Sequence, residues 1–369
     1  MPADEPTRTE PLSVALALLT LVPGGMGGTE TYTRELCEGL AAAPGVTART
    51  FVAAGAQGWT PQLEEVVVDG VTGGERPLDR LRTLAQARLA RRTVTLDWAD
   101  ADIVHYPVTV FAPWPRAGST APAVVQTLHD LQHLDLPHLF SPVDRLYRRR
   151  WYEAAARRAD HVVTISQFAK GTIVDRLGID PERITVAPLA VGQDFTPNLG
   201  EREPFLLYPA RGWAHKNHAR LVQAVALVRE THPGMRLVLT GGALDSLGPL
   251  PDWVDVRGLV PRAELLDLYR RAAALVFPSL YEGFGLPPLE AMASGCPVVS
   301  SASGSLPEVC GDAAEFVDAT DPAAIAEGVR TALARSEDLT RRGIARAAEF
   351  TWEACVAGHL AAYAAAARR

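Results

Sequence analysis

Twice along its length the chain alternates apolar runs of strand length with stretches of helical periodicity. The first series reads SVALALLTLV, a helix from about Gly28, TARTFVAA, an arginine-rich helix near 77–95, DIVHYPV, AVVQTLH, a helix near 142–159, and HVVTIS. A second series opens after the polar, proline-bearing FTPNLGEREP. It runs FLLYPA, a helix from about Lys216, MRLVLT, WVDVRGLV, a helix from about Pro261, AALVF, PVVSS and two or three closing helices. Such alternation is the pattern of a parallel sheet with crossover helices. A length of 369 residues exceeds one ordinary hydrophobic core. The expected fold is therefore α/β, with two Rossmann-like doubly wound domains facing across a cleft. They would span 1–195 and 203–349, joined by a linker near 195–203 and followed by an alanine-rich helical tail at 350–369. Ligands of doubly wound sheets bind at the carboxyl ends of the strands.

Composition excludes several classes. The net charge of −7 argues against a nucleic-acid partner. Cys37, Cys296, Cys310 and Cys355 stand far apart without a CxxC pair, which reads as four buried small residues in a reducing compartment and not as a disulfide framework or zinc site. The run LSVALALLTLV is too short to span a bilayer and lacks a cleavage-type site, so it reads as the first strand of a cytoplasmic chain.

The glycine cluster VPGGMGGTETYTREL lies between strand one and helix one, where a dinucleotide site would lie. After Gly25 and Gly27 the third glycine of GxGxxG would fall on Glu30, and the next strand ends without the acidic residue that holds a ribose. A nicotinamide-dependent oxidoreductase is disfavoured. What remains is a flexible turn whose Gly27 and Gly28 let backbone approach a ligand at a helix start.

In the second half, YPARGWAHKNH places Arg211 and Lys216 in the loop after a strand, where both can face the cleft. Two fixed cations suit a diphosphate. In FPSLYEGFGLPPLEAMASG the amides of Gly283, Phe284, Gly285 and Leu286 precede a helix whose Pro287 and Pro288 donate nothing. Orphan N–H groups and the positive dipole end favour an anion there. A carboxylate beside a phosphate is unfavourable, so Glu282 in the loop and Glu290 one turn into the helix are better read as accepting hydrogen bonds from hydroxyls. Diphosphate, ribose and sugar together describe a nucleotide-sugar.

The combination of GGMGG, LHD at 128–130, the Arg211 and Lys216 pair, and EGFGLPPLE resembles the GT-B glycosyltransferases of family four. That resemblance implies a retaining, metal-independent transfer of a sugar from a nucleoside diphosphate sugar donor to a carbohydrate, lipid-linked or other hydroxyl acceptor, with no cofactor. It implies that the first domain binds the acceptor and that the last helix crosses back to it. By position, Arg211 and Lys216 would hold the diphosphate, Glu282 the donor sugar and Glu290 the ribose. RGLVPRAEL would set Gly258, Leu259 and Val260 against the nucleobase. His129 matches a donor-sugar contact and is read as a neutral hydrogen-bond donor rather than a general base; His105, His133 and His138 are read as structural. The arginine-rich helix 142–159 is expected to turn Leu146, Tyr147 and Trp151 inward, with a peripheral membrane contact as the competing reading. A nucleotide-sugar epimerase on the same fold and a non-catalytic nucleotide-sugar-binding protein remain open alternatives.

Overall fold

The structure, a computed structural model, describes residues 10–72, 77–89, 98, 100–110, 113 and 121–368. The first half contributes β1 (Leu12–Leu18), β2 (Val46–Ala53), β3 (Glu64–Val68), β4 (Ile103–Tyr106), β5 (Ala123–Thr127), β6 (His161–Thr164) and β7 (Ile184–Val186). They pair in parallel in the order β3-β2-β1-β4-β5-β6-β7. The second half contributes β8 (Glu203–Pro209), β9 (Arg236–Thr240), β10 (Val254–Gly258), β11 (Ala272–Phe277), β12 (Val298–Ser301) and β13 (Ala314–Val317), also parallel, in the order β10-β9-β8-β11-β12-β13. The central strands are apolar on both faces because helices cover both; β11, AAALVF, is buried at every position.

In each sheet the chain winds outward from its first strand, then returns to start the other half beside it. The neighbours β1 and β4, and likewise β8 and β11, are therefore switch points where successive loops diverge and leave a crevice. The glycine turn follows β1, the Arg211–Lys216 loop follows β8, and the EGFG turn follows β11. Three strands escaped the sequence reading, β3, β7 and β13, and all three are sheet edges of three to five residues. Too short to show a period, β3 also opens on Glu64 and Glu65, charges that suit an edge.

The helix Trp352–Ala367 leaves the second domain and packs on β5, β6, β7 and the helix Gly28–Ala42 of the first. Thr351 caps it by accepting from the Ala354 amide at 3.1 Å. Gly39 is needed at the crossing, since a Cβ there would occupy the place of the Val356 side chain.

The arginine-rich helix after β3 covers Pro77–Leu89; residues 90–95 of the expected helix lie outside the described residues. The helix at 142–158 carries a π turn at Arg149–Glu153. Tyr147 and Trp151 pack against the first-domain core, but Leu146 does not turn inward as expected: it is 67% exposed, with Val143 at 72%. Residues 141–146, the N-cap and first turn of this helix, are all exposed, and only the later turns reach the core.

Candidate functional site

One cleft of about 1800 Å³ lies between the two sheets, walled by loops from both. Gly27, Gly28 and His129 line it from the first domain; Arg211, Lys216, Glu282, Leu259, Val260 and the 283–286 turn line it from the second. Gly258 and Glu290 are not among the residues that line it.

Lys216 ends a short 3₁₀ turn, and its Nζ is 2.5 Å from Glu282 Oε1, both side chains largely withdrawn from solvent. Its backbone is anchored, since the buried Tyr208 hydroxyl donates to the Lys216 carbonyl at 2.5 Å. Glu282 is buttressed from behind. The Ser305 amide and hydroxyl donate to the Glu282 carbonyl at 3.2 and 3.1 Å, and that hydroxyl reaches the Phe284 carbonyl at 2.7 Å. Gly304 sits at φ +61° against the Glu282 backbone, in space a Cβ would fill.

Arg211 spans the cleft. Its Nη2 donates to the Gly25 carbonyl at 3.0 Å, and its guanidinium lies 5.5 Å from the ring centroid of Trp213, itself half exposed. Gly285, at φ +109°, opens the helix Leu286–Ala293. Among the described residues the amides of Gly283, Phe284, Gly285 and Leu286 have no protein acceptor, and these four residues line the same cleft as the two cations.

Glu290 is buried, and burial pushes its carboxyl above the usual range although Tyr269 donates to it at 2.7 Å. The nearby Arg262 is held by Asp194 through bonds of 2.5 and 2.7 Å. Gly258, at φ +64°, takes the Gly241 amide on its carbonyl at 2.7 Å and turns the chain so that Leu259 projects, 74% exposed.

His129 follows β5 and packs edge-on against Tyr32, with ring centroids 5.0 Å apart. Its Nε2 is 3.2 Å from the Pro107 carbonyl, which can only accept. The proton therefore sits on Nε2, and Nδ1 is left as an acceptor. This reverses the donor role expected from sequence, which could not see that the β4 loop consumes the N–H. Burial lowers the pKa of His129, so the ring is neutral and a weak base.

Beneath His129 a chain of buried polar groups ties the crossing helix to the first sheet, and its protons can be placed in full. His359 Nδ1 must donate to the Cys355 carbonyl at 2.8 Å, which makes Nε2 accept from the Tyr32 hydroxyl at 2.7 Å. Tyr32 then accepts from Thr127 at 2.7 Å, Thr127 from His105 Nε2 at 2.8 Å, and His105 Nδ1 from Tyr363 at 2.8 Å. His105 is structural, as expected, and so are the four cysteines, all free and buried. His133 pairs with Glu153 at 3.1 Å inside the first domain, and His138 sits in a surface turn.

Sequence reasoning met Glu30 as the residue that stands where the third glycine of GxGxxG would fall. Its carboxylate instead accepts the Gly24 amide through both oxygens, at 3.0 and 2.9 Å, closing the glycine turn onto the helix. A glutamate three residues after the N-cap position of Gly27 is the signal that could have found it. The Ser305 and Gly304 buttress carried no such signal, because it is made by a loop that only the fold brings to Glu282.

Two family models divide the chain between them. "Glycosyltransferase Family 4" matches residues 26–194 and "Glycosyl transferases group 1" matches residues 193–349. The chain is 33% identical over 265 residues to O-antigen chain mannosyltransferase B of Escherichia coli, spanning 65% of this chain and 69% of that one. It is 28% identical to a D-inositol 3-phosphate glycosyltransferase of Segniliparus rotundus over 98% of this chain and 92% of that one. Sucrose-phosphate synthase from Thermosynechococcus elongatus shares the fold at a TM-score of 0.76, with 21% identity and coverage of 96% and 98%. WaaG, a glycosyltransferase involved in lipopolysaccharide biosynthesis, does so at 0.69, with 20% identity and coverage of 95% and 98%. With both halves matched, the GT-B architecture formed and the cleft walls built from the matching motifs, this chain belongs to the group 1 glycosyltransferases of family four and is a glycosyltransferase.

Proposed function

We propose that the enzyme transfers a sugar from a nucleoside diphosphate sugar to a hydroxyl acceptor, with retention of anomeric configuration and without a metal. The convergence of Lys216, Arg211 and the four unpartnered amides of 283–286 carries this reading, because it matches the charge of a departing diphosphate. In the transfer the anomeric carbon–oxygen bond to the diphosphate breaks, a bond to the acceptor oxygen forms, and the acceptor's hydroxyl proton passes to the departing diphosphate. Lys216 keeps two N–H groups for that diphosphate while its third holds Glu282, whose other oxygen is free to accept a sugar hydroxyl. His129 accepts a further sugar hydroxyl on Nδ1. An imidazole whose charged form is penalised by burial takes the hydrogen bond but not the proton, which supports retention.

Leu259 and Val260, which line the cleft, offer an apolar ledge to the base, and Glu290 is the residue assigned to the ribose. HepE from Anabaena, of the same fold, has been solved in complex with UDP-glucose, and several relatives are named mannosyltransferases. Nucleoside diphosphate glucose and mannose are therefore the first donors to try. A thermal-shift panel of nucleoside diphosphate sugars, followed by turnover on the donor that stabilises most, tests the reading; no shift with any donor would sink it.

The basic helix at 142–158, with Val143 and Leu146 exposed beside its arginines, fits a peripheral contact with an anionic membrane surface. Co-sedimentation with vesicles containing phosphatidylglycerol, lost in Val143→Asp/Leu146→Asp, is the expected result. Among the described residues no helix is long and apolar enough to cross a membrane.

A further inference from the structure

On one side of the cleft the two domains touch through a contact that the reading above does not use. The helix Gln167–Leu177 of the first domain begins there, and the second domain satisfies its first amides: Glu308 accepts from Gln167 N–H at 2.8 Å and from Phe168 N–H at 3.0 Å. The cap residue, Ser166, is fully buried. Its hydroxyl accepts from the Ala169 amide at 3.0 Å and spends its one proton across the domain boundary, on the Gly283 carbonyl at 2.8 Å. The rings of Phe168 and Tyr281 meet edge-on alongside, with centroids 5.7 Å apart.

The Gly283 carbonyl belongs to the same planar peptide unit as the Phe284 N–H. In a trans peptide the two bonds point in opposite directions. A first-domain serine that holds the carbonyl therefore sets the direction of a second-domain amide, one of the four unpartnered donors of the cleft wall. Gly283, which has no Cβ, leaves the unit free to rotate on that side when its carbonyl is unheld. Gly283 also admits close approach, because a Cβ there would stand 3.1 Å from the His129 carbonyl and the Asp130 Cβ.

We propose that Ser166 is a positioning residue of the transfer reaction: with the domains latched by Glu308, it aims the Phe284 amide at the departing diphosphate, so the anion grip is complete only in the closed molecule. The inference rests on the diphosphate reading above.

Its test compares the full chain with Ser166→Ala and Glu308→Gln, using the donor that stabilises the wild type most. Removing a fixed donor to a developing anion costs about a hundredfold or more in kcat, and leaving it present but unaimed costs less, about tenfold to a hundredfold for Ser166→Ala. Calorimetric affinity for the intact donor is expected to change by less than about threefold, because the charge the amide meets develops only as the sugar–phosphate bond breaks. Glu308→Gln leaves the serine cap untouched and weakens only the latch, with an expected loss of about three- to tenfold in kcat. A lower Tm with unchanged kcat in Ser166→Ala, or wild-type kcat in Glu308→Gln, would reduce the contact to a helix cap and overturn the proposal. If the wild type binds no nucleoside diphosphate, the donor reading fails first and takes this inference with it.

Discussion

His359 gives the sharpest test of how the crossing helix is held. Burial pushes its pKa down to about 4, against an ordinary value of 6.5, because a second proton would have to face the Tyr32 hydroxyl and the neighbouring His129 in a dry interior. The unfolded chain takes up that proton near pH 6.5 and the folded chain does not. The stabilisation is thus fully present above the unfolded value and is lost as the pH falls from 6.5 toward 4. With those two values the loss at pH 4.5 is about 2–3 kcal/mol from this one ring. Other buried histidines, His161, His215 and His218, contribute losses of the same sign, so wild-type data alone do not isolate it. His359→Gln does, because a glutamine amide can still donate to the Cys355 carbonyl and accept from Tyr32 but does not titrate. At about pH 7.5 the variant should be less stable by about 1–2 kcal/mol through imperfect bonds. By about pH 4.5 the difference should shrink by about 2–3 kcal/mol and reverse sign. Urea unfolding followed by circular dichroism across that range reads it directly. Parallel loss of stability in the two proteins would refute the assignment of His359 as neutral and proton-excluding.

Lys216→Ala and Arg211→Ala should each lower kcat by a factor of about ten to a thousand; unchanged kinetics in both would remove the diphosphate from that wall. Gly304→Ala puts a methyl group into the Glu282 backbone at a left-handed φ, and should cost about 1–3 kcal/mol in stability together with most of the activity. Turnover should survive EDTA, and strict Mg²⁺ dependence would count against the cation-and-amide grip. Proton NMR of the first-formed glycoside should show the donor's anomeric configuration; the inverted anomer would call for a base on the opposite face, with Glu30 and the Nδ1 atom of His129 the candidates.

Much of the site could be read before the fold was in hand, for a physical reason. Arg211, Lys216, Glu282 and the 283–286 amides sit on loops directly after strands whose apolar runs are unmistakable, and a doubly wound sheet sends all such loops to one edge. Position along the chain is then nearly position in space. The features that stayed hidden depend on groups far apart in sequence: Ser305 behind Glu282, Pro107 taking the His129 proton, Ser166 on the Gly283 carbonyl. Leu146 was misjudged on a different ground. A helical period marks which residues share a face, and does not say how far along the helix the core extends.

The return of the helix Trp352–Ala367 has a consequence for how the molecule is made. The first sheet is complete at Val186, yet the groups that cover its β5–β7 face, His359 and Tyr363 among them, are translated only after the whole second domain. A ribosome-bound chain therefore carries a first domain with an open apolar face and with Tyr32 and His105 short of their partners, while the second domain already holds all six of its strands. The half made first is finished last.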